Sequence, residues 1–264
     1  MTRTDPNLPT TTETLDLVLD DDTTVDAILA RPSGEGTWPG VLVWMDAFGV
    51  RPRLEEMAAH VASHGYVVLV PNLYHRAGTA PVTPLRDLMT DEGRSTAFKE
   101  LGPLMRSLTP EVVAHDASAY VDALLARPDV TGPLGTVGYC MGGRFAVQAA
   151  AARPDAIAAV ASFHAGKLAS EDESSPHRLL PRVRAEVYVA HADKDASMPP
   201  KDQRRLEQAL TDAGLVHTTE LYAGASHGFT MADTAVYDEA ATDRHWDALL
   251  GLLDRTLRKP QATA

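Results

Sequence analysis

The segment LGTVGYCMGG, Leu134–Gly143, runs from a short apolar stretch through glycines into helical spacing, and its Cys140 is the chain's one cysteine. GYCMG, Gly138–Gly142, has the form of G-x-S-x-G with cysteine in place of serine. That pattern marks a sharp strand-to-helix turn, which strains the central residue and lifts its side chain toward the carboxyl end of a sheet. Glycine flanks such a bend because side chains there would collide, and Gly143 lets the helix pack closely on the sheet. A helix N-terminus favours negative charge, so the setting suits a thiolate or a developing oxyanion. The competing reading is a buried structural thiol, a common fate of free cysteine.

Outward from this turn, apolar runs recur at Val41–Met45, Val67–Val70, Ala156–Phe163 and Ala185–His191, with His217–Ala223 closing the series. Continuous apolar runs imply strands buried on both faces, as in a parallel sheet covered by helices. Helical spacing at Arg53–Ser63, Glu111–Ala126, Arg144–Ala152, Gln203–Ala213 and Thr242–Leu257 alternates with them. The alternation predicts an α/β fold with a mostly parallel central sheet and helices on both faces. Before it, Leu15–Leu19 and Val25–Ala30 flank DDDTT and predict an antiparallel hairpin. Residues 75–110 break the rhythm and read as an insertion with short helices that covers a site, within one domain spanning residues 1–264. The closing RKPQATA reads as a frayed tail.

Hydrophobic residues make up 44% of the chain and charged residues 23%, the balance of a globular protein. One cysteine makes no internal disulfide, and no apolar stretch has signal-peptide or membrane-span length. A cytoplasmic protein with no membrane association is the expectation. A net charge of −12 with no basic cluster argues against nucleic acid. Neither H-E-x-x-H spacing nor a phosphate-binding glycine loop occurs, so no metal and no cofactor are expected. The expected partner is a small molecule, with the chain a monomer or homodimer.

A thiol of ordinary acidity needs a base, and the base needs an orienting acid. In α/β-hydrolases these follow the nucleophile in the order acid, then histidine. HADKDASMPP, a strand end with an acidic turn, offers Asp193 and Asp195; GASHGF, after another strand, offers His227. His164 ends AVASFH and is a candidate to line the same opening.

These residues resemble the dienelactone hydrolase family of α/β-hydrolases. The resemblance runs through WMDAFGV, GYVVLVPNLYHR, VGYCMGG, ADKDASMPP and GASHGF in order, nearly the whole chain. It implies a Cys140–His227–Asp195 triad acting on carboxylic esters or lactones. It further implies an oxyanion hole from the backbone N–H groups of Met141 and Ala47. The family's thiol-activating glutamate falls at Asp46, one methylene shorter; a helix-capping role for Asp46 is the alternative. Arg76 falls at a substrate-carboxylate arginine, with an ordinary surface arginine as its alternative. The family's second arginine position holds Met231, which points to a less anionic or more apolar ester. Thioester hydrolysis or acyl transfer on the same triad, and a non-catalytic redox-sensing or binding role, are the rival functions.

Overall fold

The computed structural model describes residues 7–258. Of the expected C-terminal tail, residues 259–264 lie outside the described residues. One eight-stranded sheet forms the centre, with strand order β1-β2-β4-β3-β5-β6-β7-β8. Strands β1 (Thr10–Val18) and β2 (Thr24–Pro32) make the expected hairpin, and β2 pairs antiparallel with β4 (Val67–Pro71). From β4 onward, β3 (Trp38–Trp44), β5 (Val130–Tyr139), β6 (Ile157–Phe163), β7 (Glu186–Lys194) and β8 (His217–Ser226) are all parallel.

Burial follows position in the sheet. Every residue of β4 is buried, as both-face coverage demands, whereas edge strand β1 alternates half-buried and exposed residues. Around the sheet lie α1 (Pro52–Ser63), α2 (Asp91–Ser107), α3 (Pro110–Leu125), α4 (Met141–Ala152), α5 (Pro200–Asp212) and α6 (Glu239–Leu257). Proline opens α1, α3 and α5, where a missing N–H costs nothing.

The helices of the insertion differ from expectation. Beyond a single helical turn at His75–Ala77, its short helices are one 17-residue helix, α2, capped by the Thr90 hydroxyl on Gly93 N–H and running through Pro103. A helix interior usually rejects proline, which is why the sequence reads there as interrupted. Because the strands from β3 to β8 are parallel, the segments leaving β3, β5, β6, β7 and β8 gather at one edge of the sheet, where open α/β sheets bind ligands. Among the described residues no helix is long and apolar enough to cross a membrane.

Candidate active site

Cys140 follows β5 directly and caps α4 with φ 53° and ψ −120°, a conformation that non-glycine residues rarely adopt. The glycines around it supply space rather than positive φ. A Cβ on Gly138 would run into the backbone of Gly142, one on Gly142 into the carbonyls of Trp44 and Met45, and one on Gly143 into Ser162 and Ala165. The elbow is therefore pressed against β3 on one side and β6 on the other. Its cysteine is half-buried.

Two further strand ends complete a line of hydrogen bonds. His227, just past β8, places Nε2 3.0 Å from Cys140 Sγ and Nδ1 2.7 Å from Asp195 Oδ2. Asp195 follows β7; its other oxygen accepts the Ser197 backbone N–H at 2.8 Å and the Ser197 hydroxyl at 2.5 Å. Asp193 instead accepts Gly224 N–H, so Asp195 is the acid that faces the imidazole. The imidazole is 30% exposed while the Asp195 carboxylate is 3% exposed, an arrangement that leaves the reactive end open and encloses the orienting end.

Burial opposes charge on His227, but the negative charge at Cys140 and the hydrogen bond to Asp195 outweigh it and raise the imidazole to about 10. Burial likewise pushes Asp195 up, and the hydrogen bond and charge of His227, with Ser197, bring it below its ordinary value. The balance favours a protonated imidazole paired with the Asp195 carboxylate.

Above this line, Tyr74 joins the two segments expected to supply backbone donors. Its hydroxyl donates to the Ala47 carbonyl at 2.9 Å and lies 4.0 Å from Met141 Sδ. Burial, then the nearby charges of Asp46 and Cys140, raise the phenol and keep it protonated. The Met141 N–H belongs to the first turn of α4, where helix donors have no intrahelical acceptor.

The profile of the dienelactone hydrolase family matches residues 25–257. The chain belongs to the dienelactone hydrolase family. A relative from Synechocystis sp., provisionally assigned as a carboxymethylenebutenolidase, is 27% identical over 235 residues, covering 87% of this chain and 91% of that protein. The carboxymethylenebutenolidase of Rhodococcus opacus is 25% identical over 232 residues, covering 87% and 86%. A crystal structure from Klebsiella pneumoniae, provisionally assigned as a dienelactone hydrolase, superposes with a TM-score of 0.81 at 24% identity, covering 94% of this chain and 99% of that one.

Against the expectations read from the sequence and from the dienelactone hydrolase resemblance, four residues need correction. Asp46 makes no hydrogen bond to the thiol: Arg51 grips both its oxygens, at 2.7 and 2.9 Å. It does not cap α1 either, since its Oδ1 accepts Phe48 N–H in a local turn and the α1 N-cap is Arg51, without a side-chain bond. Arg76 is no free carboxylate anchor, because both its terminal nitrogens donate to the buried Asp116 of α3, at 2.6 and 2.7 Å. Met231 is enclosed in the core at 1% exposure, so it presents no apolar wall to an opening. His164 is equally buried and lies under the Cys140 backbone instead of lining an opening.

Sequence reading also misses two arginines. Arg51, whose guanidinium is 3% exposed, bridges Asp46 to Asp233 in the loop beyond His227. Arg144 is half-buried in the first turns of α4 and has no hydrogen-bonding or ionic partner among the described residues; its guanidinium lies 5.6 Å from the Phe145 ring centre. Its one sequence signal is its place four residues after Cys140.

The insertion meets this region through Phe98 of α2, whose ring lies 4.9 Å from that of Phe48, next to Ala47. Beside Phe48 opens a cavity of about 560 Å³ lined by Phe48, Arg51, Leu85, Leu88, Leu101 and Asp233, among others. Its lining includes none of Cys140, His227 and Asp195.

Proposed function

We propose that this member of the dienelactone hydrolase family is a cysteine-dependent hydrolase of carboxylic esters or lactones. The observation that carries the reading is the continuous line Asp195–His227–Cys140, with spacings of 2.7 and 3.0 Å, ending on a half-buried cysteine. The raised imidazole supports a resting pair in which the proton already sits on His227. The sulfur anion attacks the substrate carbonyl and the C–S bond forms. The backbone N–H groups of Met141 and Ala47 receive the oxyanion; one such donor is typically worth about 3 kcal/mol of barrier lowering. Collapse breaks the bond to the alcohol oxygen, which takes the His227 proton as it leaves. Neutral His227 then takes a proton from water, whose oxygen attacks the acyl-enzyme and releases the acid. Asp195 keeps the imidazole oriented through both halves.

The relatives' names support esters or lactones as the bond class. Within it, an anionic substrate would meet Arg144, the half-buried guanidinium left without an acceptor among the described residues, rather than Arg76. The test is a panel of lactones, aryl esters and acyl-CoA thioesters given to the intact protein, Cys140→Ala and His227→Ala. Ester or lactone turnover that disappears in both variants supports the proposal. Turnover unchanged in either variant, or confined to the thioesters, overturns it.

A further inference from the structure

One buried histidine has no step in the reaction above, yet it touches both loops that carry it. His164 ends the β6 segment with φ 42° and 1% exposure. Its Nδ1 accepts the backbone N–H of Cys140 at 3.2 Å, a hydrogen shared with the Phe163 carbonyl at 3.1 Å. Its Nε2 lies 2.8 Å from the hydroxyl of Thr230, three residues past His227.

These contacts fix the tautomer. An accepting Nδ1 carries no proton, so Nε2 carries it and donates to Thr230. A charged ring would have protons on both nitrogens and would lose the bond to the elbow. Burial, followed by the positive charge at His227, holds His164 well below the ordinary histidine range and keeps the ring neutral. The ring also packs edge-on against His227, with centres 5.5 Å apart, and against Phe229 at 5.0 Å. At the far end Thr230 is itself held in place, since its backbone carbonyl accepts from Arg53 of α1 at 2.8 Å.

We propose that His164 is a positioning residue, a neutral strap between the nucleophile's backbone and Thr230 that sets the separation of Cys140 Sγ from His227 Nε2. The inference rests on the reading of those two residues as nucleophile and base. Its physical basis is the steep dependence of reaction on geometry: a displacement of about 1 Å can cost roughly 100-fold in rate.

The test measures two things on the full chain: the pH profile of Cys140 alkylation by iodoacetamide, and kcat and KM on an ester that the intact protein turns over. His164→Phe keeps an aromatic ring in an aromatic setting but removes both hydrogen bonds. Thr230→Val keeps the branched shape and removes only the hydroxyl. His164→Phe is expected to lower kcat by about 10- to 100-fold with KM little changed, and to slow alkylation near neutral pH relative to alkaline pH. Thr230→Val is expected to move both readouts the same way by less. His164→Asn, whose amide oxygen can replace Nδ1 as acceptor, is expected to recover part of the loss.

Variants that fold and keep the wild-type kcat and alkylation profile overturn the proposal. So does a fall in thermal stability with the alkylation profile unmoved, since that marks His164 as packing alone. If His164→Phe fails to fold, Thr230→Val decides by the same two readouts. An intact protein that turns over no ester refutes the hydrolase reading, while the alkylation profiles still decide the strap.

Discussion

The elbow after β5 and the loop after β3 are pressed together, yet they handle charge in opposite ways. At the elbow, Asp195 and His227 pass a line of hydrogen bonds outward to a cysteine that is only half-buried. After β3, Asp46, Arg51 and Asp233 satisfy one another, and the guanidinium between them is almost wholly enclosed. A polar chain that ends on an open atom has something left to offer a substrate. A cluster that closes on itself holds two loops together and leaves only the Asp233 carboxylate partly exposed, at 32%.

The largest effect that tests this contrast belongs to the open line. Cys140→Ala and His227→Ala are each expected to reduce ester turnover by about 10³- to 10⁶-fold, because members of such a unit fail together. Steady-state kinetics, with circular dichroism to confirm the fold, measures this. The closed cluster is expected to respond in stability instead. Arg51→Met strands two carboxylates, one of them buried, and breaking such a pair costs about 3–5 kcal/mol. Denaturant unfolding should show that loss, and Arg51→Met combined with Asp46→Leu should recover part of it. Unchanged stability in Arg51→Met would erase the distinction between the two regions.

A smaller effect separates two arginines nearer the surface. Arg76 belongs with the closed kind, since Asp116 takes both its terminal nitrogens. Arg144 belongs with the open kind. On matched anionic and neutral esters, Arg144→Gln is expected to raise KM for the anionic one by about tenfold, the worth of one charge-assisted hydrogen bond. Arg76→Ala is expected to lower the melting temperature and leave the anionic-to-neutral ratio where it was. The reverse pattern would return the carboxylate anchor to Arg76.

The same contrast explains what is legible in the sequence. Strands buried on both faces announce themselves as apolar runs, so the central segments of the sheet are readable, but their sheet order, with β4 outside β3, is not, and edge strand β8 is mostly half-buried or exposed. The Asp195–His227–Cys140 line is readable too, because each member sits at a strand end with its own local signature: glycines about Cys140, an acidic turn at Asp195, SHGF at His227. The ion pairs are not. Arg51 and Asp233 are 182 residues apart, Arg76 and Asp116 are 40 apart, and no local spacing encodes either partnership. His164 stands out by its strand end, but its burial under the elbow depends on how β6 sits beside β5. Family likeness assigns Arg76 and Asp46 by position, and position does not reveal which counter-ion folding brings to them.

The finest test concerns where the proton rests along the open line. Burial lowers the His227 imidazole, but the charge at Cys140 and the bond to Asp195 raise it from 6.5 to about 10. Below 6.5 the imidazole is protonated in both the folded and unfolded chain, and the stabilisation from its pairing is fully present. Between 6.5 and 10 the unfolded chain gives up the proton and the folded chain keeps it, so this contribution declines through that window and is gone above it. Asp195 works in the opposite sense: its carboxyl is lowered from 3.8, so its contribution is present above that value and is lost on acidification through its folded value. Nitrogen-15 NMR of the His227 ring is expected to show a titration midpoint near 10, and Cys140→Ala, which removes the leading favourable charge, should bring the midpoint down and flatten the alkaline fall in stability. A midpoint near 6.5 in the intact protein, indifferent to Cys140→Ala, would mean a neutral thiol beside a neutral ring, and the open line would then need substrate to set its charge.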